Sequence, residues 1–307
     1  IMPLFFLMSL YLLVAAFFYP VGMVLFSLTF AIIGIFISLF NANIPQGEIE
    51  IAFSSSPKKS LISLLLLVAM MVVSFVFGFK YVERLASVSY FSKALNAENI
   101  DSAVVGIGNA NLLYQNDLYL RSYSQVYLLK LNSLLSKGTT LTEEEKASLQ
   151  SNLDQALSGA NSAILYNKEN YQNFTMSGSV FNMLISLGVE GSFDKAIDAY
   201  KQASLLNPLN PCIQLALART SFTANKIKEA KEYANKALEL KADYVDALVM
   251  LSQIAKKEGN NTSALSYAEK ALALLPTNKE LIDYVKSLKS GASTTTSDTS
   301  EDKKTNN

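Results

Sequence analysis

Two stretches of this 307-residue chain, 1–40 and 61–79, contain no charged side chain, and they constrain its fold more than any other feature. Charged residues make up about a quarter of an ordinary soluble domain, so runs of this length point to lipid. As a single helix the first run would extend about 60 Å, roughly twice the hydrocarbon thickness of a bilayer. Tyr19-Pro20-Val21-Gly22 offers a break, because Pro20 lacks an N–H and Gly22 accepts turn geometry. The expectation is a hairpin of two transmembrane helices over 1–40, at about 2–19 and 23–40. A loop over 41–60 and a third span at 61–80 follow. Lys58 and Lys59 precede the third span, and Lys80 and Arg84 follow it, which suits interfacial anchoring. A cleaved signal peptide over 1–19 is the alternative, but a signal peptide needs a basic first segment and none is present. The spans hold no ionisable group, so they read as anchoring and packing elements.

Charge and composition exclude several chemistries. Lys plus Arg and Asp plus Glu number 26 each, which argues against nucleic acid as a partner. The chain has no histidine, which removes His-dependent triads and His metal sites. A single cysteine, Cys212, excludes an internal disulfide and a Cys-cluster zinc site. Cys212 reads as a small buried residue in preference to a reactive thiol. No catalytic residue, cofactor or metal site is assigned. Gly106-Ile107-Gly108 resembles the start of a dinucleotide fingerprint, but it follows no strand and lacks the third glycine. Asn173-Phe174-Thr175 and Asn260-Asn261-Thr262 have the form of glycan acceptor sites, but such triplets are common by chance and nothing else indicates a eukaryotic secretory protein.

From residue 81 the chain changes to a helical mixture of Ala, Leu, Lys, Glu, Asn and Ser, and it repeats. Blocks 191–210, 225–244 and 259–278 align without gaps at a 34-residue period. Ala196, Ala230 and Ala264 share one position, and Ala203, Ala237 and Ala271 another, seven residues on. Two alanines seven apart lie two turns apart on one helix face, where a methyl lets a partner helix come close. Gly191, Asn225 and Gly259 fall between helices, where a left-handed residue is wanted. Pro208, Pro211 and Pro276 stop one unit and start the next. The alanine pair recurs at Ala156/Ala163 and Ala103/Ala110.

This pattern resembles the tetratricopeptide repeat, a pair of antiparallel helices per 34 residues. The fold class is then all-α: transmembrane helices followed by an α-solenoid. The repeat domain covers 81–289, with five units at 84–117, 118–170, 171–210, 211–244 and 245–278, and a cap helix at 279–289. Unit two carries an insertion around 136–149, and Thr142-Glu143-Glu144-Glu145 within it reads as a capping box. Unit three keeps Phe174, Gly178 and Phe181, then adds about six residues, Met183–Gly188, before its turn. Nothing polar or proline-bearing separates the third span from the first repeat helix, which predicts one continuous helix from about 61 to 97. Residues 290–307 are Ser/Thr-rich and are expected to be disordered.

The resemblance implies binding of a protein or peptide along the concave face, formed by the first helix of each unit. The positions there are Tyr119, Ser122, Gln172, Thr175, Ser179, Leu215, Arg219, Val249 and Gln253. Some members grip a C-terminal carboxylate with a lysine and asparagine set. Here Leu215 and Val249 stand at its lysine positions, and Arg219 and Gln253 at its asparagine positions. The whole layout, with the array opening on KALNAENIDSAV, resembles the C-terminal part of bacterial membrane proteins of the O-antigen ligase or polymerase type. That resemblance implies a bacterial inner-membrane protein with an extracytoplasmic array. It also implies a lipid-linked glycan among the partners of the complete enzyme. Two functions follow: a membrane-anchored interaction scaffold, and the non-catalytic portion of a glycan-transferring membrane enzyme.

Overall fold

A computed structural model describes residues 2–18, 23–42, 57–136 and 142–297. It separates into two compact units, Ile1–Phe77 and Gly78–Asn307. The turn read at Tyr19–Gly22 and most of the 41–60 loop lie outside the described residues.

The first unit holds α1 (Met2–Phe18) and α2 (Met23–Ala42). They pack on each other with Phe6 and Phe36 at 5.5 Å between ring centres, which sets the start of one helix against the end of the other. Leu12 and Ile32 are buried there, while most of the other described apolar side chains are exposed. Helix α3 runs from Pro57 to Leu95 without interruption, as the absence of a breaker predicts, and contributes residues to both units. Among the described residues it is the one helix long and apolar enough to cross a membrane, with a mean hydropathy of 2.8 over its most apolar window. The apolar stretches Pro3–Ala15 and Leu28–Phe40 are shorter.

The second unit is a series of helix pairs. The last turns of α3 pack on α4 (Ile100–Leu113) through Ser87 and Ala94, and α5 (Asp117–Leu135) pairs with α6 (Glu143–Tyr166). Then α7 (Tyr171–Ser186) pairs with α8 (Ser192–Leu206), α9 (Pro211–Thr223) with α10 (Ile227–Leu240), and α11 (Val245–Lys257) with α12 (Asn261–Leu274). Helix α13 (Lys279–Ser297) closes the row and extends past 289, since no proline follows Leu288 to stop it. The all-α solenoid expected from the repeat pattern is what forms, unit by unit.

Small residues set the spacing within each pair. Ala156, Ala163, Ala196, Ala203, Ala230, Ala237, Ala264 and Ala271 are all fully buried. Glycines take the same role. A methyl at Gly106 would stand 2.7 Å from the Ala94 Cβ, and one at Gly159 3.0 Å from the Ser124 amide. Gly106 is therefore a helix contact, in keeping with the absence of a dinucleotide fingerprint at 106–108. Gly178 faces the Tyr200 ring, where an added Cβ would come within 2.7 Å. Serines across these contacts donate to backbone: Ser124 Oγ to the Ala156 carbonyl at 2.7 Å and Ser252 Oγ to that of Ala264 at 2.6 Å. Core clusters form within pairs and across the junctions between them, as in Leu131, Leu153 and Val180, or Ile197, Ile213 and Leu217. Stability is then chiefly a matter of neighbouring helices.

The turns follow from left-handed residues. Asn225 (φ 61°) and Gly259 (φ 78°) each end a first helix. In both, the next amide reaches back to the helix, Lys226 to the Ser221 carbonyl at 2.8 Å and Asn260 to that of Ala255 at 2.9 Å, a Schellman closure. In unit three the same closure sits at Gly188, where the Val189 amide bonds the Leu184 carbonyl at 3.0 Å. The extra residues of that unit move the helix end, and Gly191 (φ 72°) instead becomes the N-cap of α8. The capping box at Thr142 and Glu145 is present and starts α6.

Ala230→Leu would push a branched side chain into a contact with no free surface, and should cost about 1–3 kcal/mol. Ala224, at the end of α9 and only partly buried, should accept leucine at much lower cost. Thermal unfolding of the two variants checks the assignment: Ala230→Leu should melt well below Ala224→Leu.

Candidate functional site

The first helices of successive pairs, α5, α7, α9 and α11, line two clefts. The larger is about 540 Å³ and is walled by Arg121, Ser122 and Gln125 of α5, Gln172, Thr175, Met176 and Ser179 of α7, and Cys212 and Ile213 of α9. The smaller, about 350 Å³, lies between Asn182 of α7, Arg219, Phe222 and Thr223 of α9, and Asp246, Val249 and Gln253 of α11. Second helices line neither cleft.

Seven of the nine expected groove residues fall here. Ser122, Gln172, Thr175 and Ser179 line the larger cleft, and Arg219, Val249 and Gln253 the smaller. Tyr119 and Leu215 do not. Tyr119 is buried with its ring 4.4 Å from that of Phe91, and Leu215 is buried among Ala218, Met250 and Leu251. Both sit on the side of the first helix that faces the neighbouring pair, a rotation that register alone did not separate from the groove side. Cys212 also differs from expectation: it is exposed, lines the larger cleft and accepts a hydrogen bond from Tyr244 Oη at 3.3 Å. Its place after Pro211, in the first turn of α9, keeps it clear of the core.

A polar cluster roots the wall of the larger cleft. Asp117 Oδ2 accepts from Asn170 Nδ2 at 2.7 Å and from Arg121 Nη1 at 3.2 Å. The same Arg121 nitrogen donates to Asn173 Oδ1 at 2.6 Å, and Nη2 donates to the cleft residue Gln172 at 2.9 Å. Asn173 is fully buried and donates to the carbonyls of Ala163 and Asn167 at 2.8 and 2.7 Å. It is a structural strut, and its amide is fully engaged inside the fold. Burial alone would raise the Asp117 carboxyl. The Asn170 hydrogen bond, the Arg121 charge and the Asn173 bond outweigh it and hold the group below the ordinary carboxylate value. This cluster was not foreseen. Its signal in the sequence is Asn167, Asn170 and Asn173 at three-residue spacing.

The smaller cleft is less tied. Arg219 and Asp246 face each other loosely at 3.8 Å with over half of each side chain exposed. The Asn182 Oδ1 is shut from solvent and accepts no hydrogen bond among the described residues. An unmatched buried acceptor costs about 1–3 kcal/mol, a local cost that the packing around Asn182 carries. Ser179 Oγ is by contrast engaged, with Tyr200 Oη at 3.1 Å and the Thr175 carbonyl at 3.0 Å.

Comparison with known proteins agrees with this architecture. Models described as tetratricopeptide repeat match residues 190–254 and 245–278. A thermophilic TPR protein of Thermus thermophilus, TTC0263, superposes with a TM-score of 0.50 at 17% identity, over 68% of this chain and 98% of that one. MamA from Desulfovibrio magneticus RS-1 superposes at 0.47 with 10% identity, over 64% and 97%. Human protein O-mannosyl-transferase TMTC1 is 29% identical over 92 residues, 30% of this chain. The chain spans only 10% of the length of that relative.

The Asp117 cluster makes a pH-dependent prediction. A lowered carboxyl contributes stability that is complete above the ordinary carboxylate range and is lost as pH falls through it. Asp117→Ala should cost about 2 kcal/mol at neutral pH, by stranding Arg121 and Asn170. Its deficit against wild type should shrink below about pH 4, read by thermal melts across pH. Residues 190–278 are tetratricopeptide repeats, set in a longer row of helix pairs of the same build.

Proposed function

We propose that the chain is a membrane-attached scaffold that holds a protein or peptide partner in the groove along its first helices. The observation that carries this is the convergence of seven groove residues on two clefts walled by first helices. The walls mix amides and hydroxyls with Met176, Ile213 and Phe222, which suits an extended peptide bonded through its backbone. Attachment rests on α3, whose apolar part is long enough to span a bilayer, with α1 and α2 as an accompanying hairpin. The alternative reading makes the described helices the non-catalytic portion of a larger glycan-transferring membrane enzyme of the O-antigen ligase or polymerase type. They carry its partner-binding part, on the extracytoplasmic side of the bacterial inner membrane. The succession of apolar helices and repeat array supports that extension.

Panning the full chain in nanodiscs against a displayed peptide library tests the groove. Wild type should enrich a shared sequence, and Arg219→Glu with Gln253→Lys should weaken its binding by roughly tenfold or more while helicity is kept. Undiminished binding would place the site elsewhere. Sidedness has a separate readout: Cys212→Ser with Ser293→Cys should react with a membrane-impermeant maleimide in intact cells, and protection until lysis would put the array in the cytoplasm.

A further inference from the structure

Second helices end on exposed leucines at one repeated position. Leu112, Leu165 and Leu205 each lie two residues after the second alanine of their pair, and are 86, 74 and 75% exposed. Single exposed leucines are ordinary, but three at one register form a line. Leu209, in the turn after α8, extends it at 78% exposure. In the next two units the same position holds Glu239 and Ala273.

This line marks one edge of the array, the edge at which the chain enters it. Arg84 stacks over the Tyr114 ring at 5.1 Å, and Ser87 Oγ donates to the Ala110 carbonyl at 2.9 Å, so the end of α4 lies beside residues 84–87. Tyr114 in turn lies beside Tyr166, at the end of α6. The uncharged run 61–79 ends only five residues before Arg84, about 7–8 Å along a helix. Tyrosines and an arginine clustered at that level have the make-up of a membrane interface.

Charge follows the same gradient. Segments 110–120, 163–173 and 203–213 span the turns of this edge in the units nearest the apolar run, and hold only Asp117, Lys168 and Glu169. Asp117 is already engaged by Arg121 and Asn170. The corresponding segments 237–247 and 271–281 hold six charged residues. Apolar exposure and loss of charge thus coincide near the point of entry and fade away from it. A groove for a protein would have no reason to be graded in this way.

We propose that this edge rests on the lipid bilayer surface, with Leu112, Leu165, Leu205 and Leu209 dipping into the headgroup–acyl boundary. This depends on the membrane attachment proposed above. The near-neutral edge makes the contact one of apolar burial and not of attraction to anionic lipid, so plain phosphatidylcholine is a sufficient surface.

The test uses the full chain with Cys212→Ser and single cysteines at Val72, Leu165, Leu205, Glu190 or Ala273. Each is labelled with a nitrobenzoxadiazole dye and reconstituted in phosphatidylcholine vesicles. Lipid carrying a spin label near the headgroup end of the acyl chain is the quencher. Labels at 165 and 205 should be quenched at least about twofold more than those at 190 and 273. Quenching at 165 and 205 no stronger than at 190, with Val72 reached by deeply spin-labelled lipid, would overturn the edge contact and leave attachment standing. A Val72 label that no lipid quenches would remove attachment, and the edge contact with it. Labels at 165 and 205 shielded from aqueous iodide yet unreached by lipid would show a covering protein, a second copy included, and would also overturn the proposal.

Discussion

Everything in the array depends on how closely two helices can approach. Buried alanines, with Gly106, Gly159 and Gly178, remove side-chain bulk where each pair crosses. Close approach then lets a serine hydroxyl reach a carbonyl on the facing helix, at Ser124 and Ser252. Such contacts fix the pair as a rigid block. What remains free is the junction between blocks, filled by larger side chains such as Ile213 and Leu217. Because every block has nearly the same geometry, the first helices line up and leave a continuous wall. The groove follows from the alanines, although no alanine pair touches it.

The repeat pattern was legible because its causes are local. A small residue every seven positions, an Asn or Gly at the helix end and an asparagine before the next helix each act within a few residues. Asn116, Asn170, Asn210 and Asn260 all cap helices by accepting a backbone amide. What escaped the sequence depended on rotation and reach. Tyr119 and Leu215 share a helix with groove residues and differ only by the angle at which they leave it. The displaced turn at Gly188 depended on how many residues α7 gained, which alignment of later units could not show. The Asp117 cluster joins residues more than fifty positions apart, and the spacing of its asparagines signals a turn equally well.

The two edges of a repeat row are not equivalent once one end is tied to an apolar helix. A free array is under pressure to keep both edges polar, because exposed leucines invite association. Here leucine stands at the end of three consecutive second helices, and the groove side mixes polar and apolar side chains. The two surfaces divide the work: one edge is fitted to an apolar neighbour, and the groove stays open.

The chemistry of the groove narrows what it can hold. Arg121 is the one cation in the larger cleft's wall, and Asp117 and Asn173 already occupy its guanidinium. Arg219 in the smaller cleft faces Asp246. Neither arginine stands as an uncompensated charge, so a terminal carboxylate would have to displace an existing partner to bind. For Arg121 that exchange would leave Asp117 partly desolvated without its counter-charge, a loss a surface carboxylate contact worth up to about 1 kcal/mol does not recover. The groove is better matched to an internal stretch of extended chain, whose side chains can settle between Met176 and Ile213. An internal segment also carries no end charge to be screened, so its binding should be only weakly sensitive to salt.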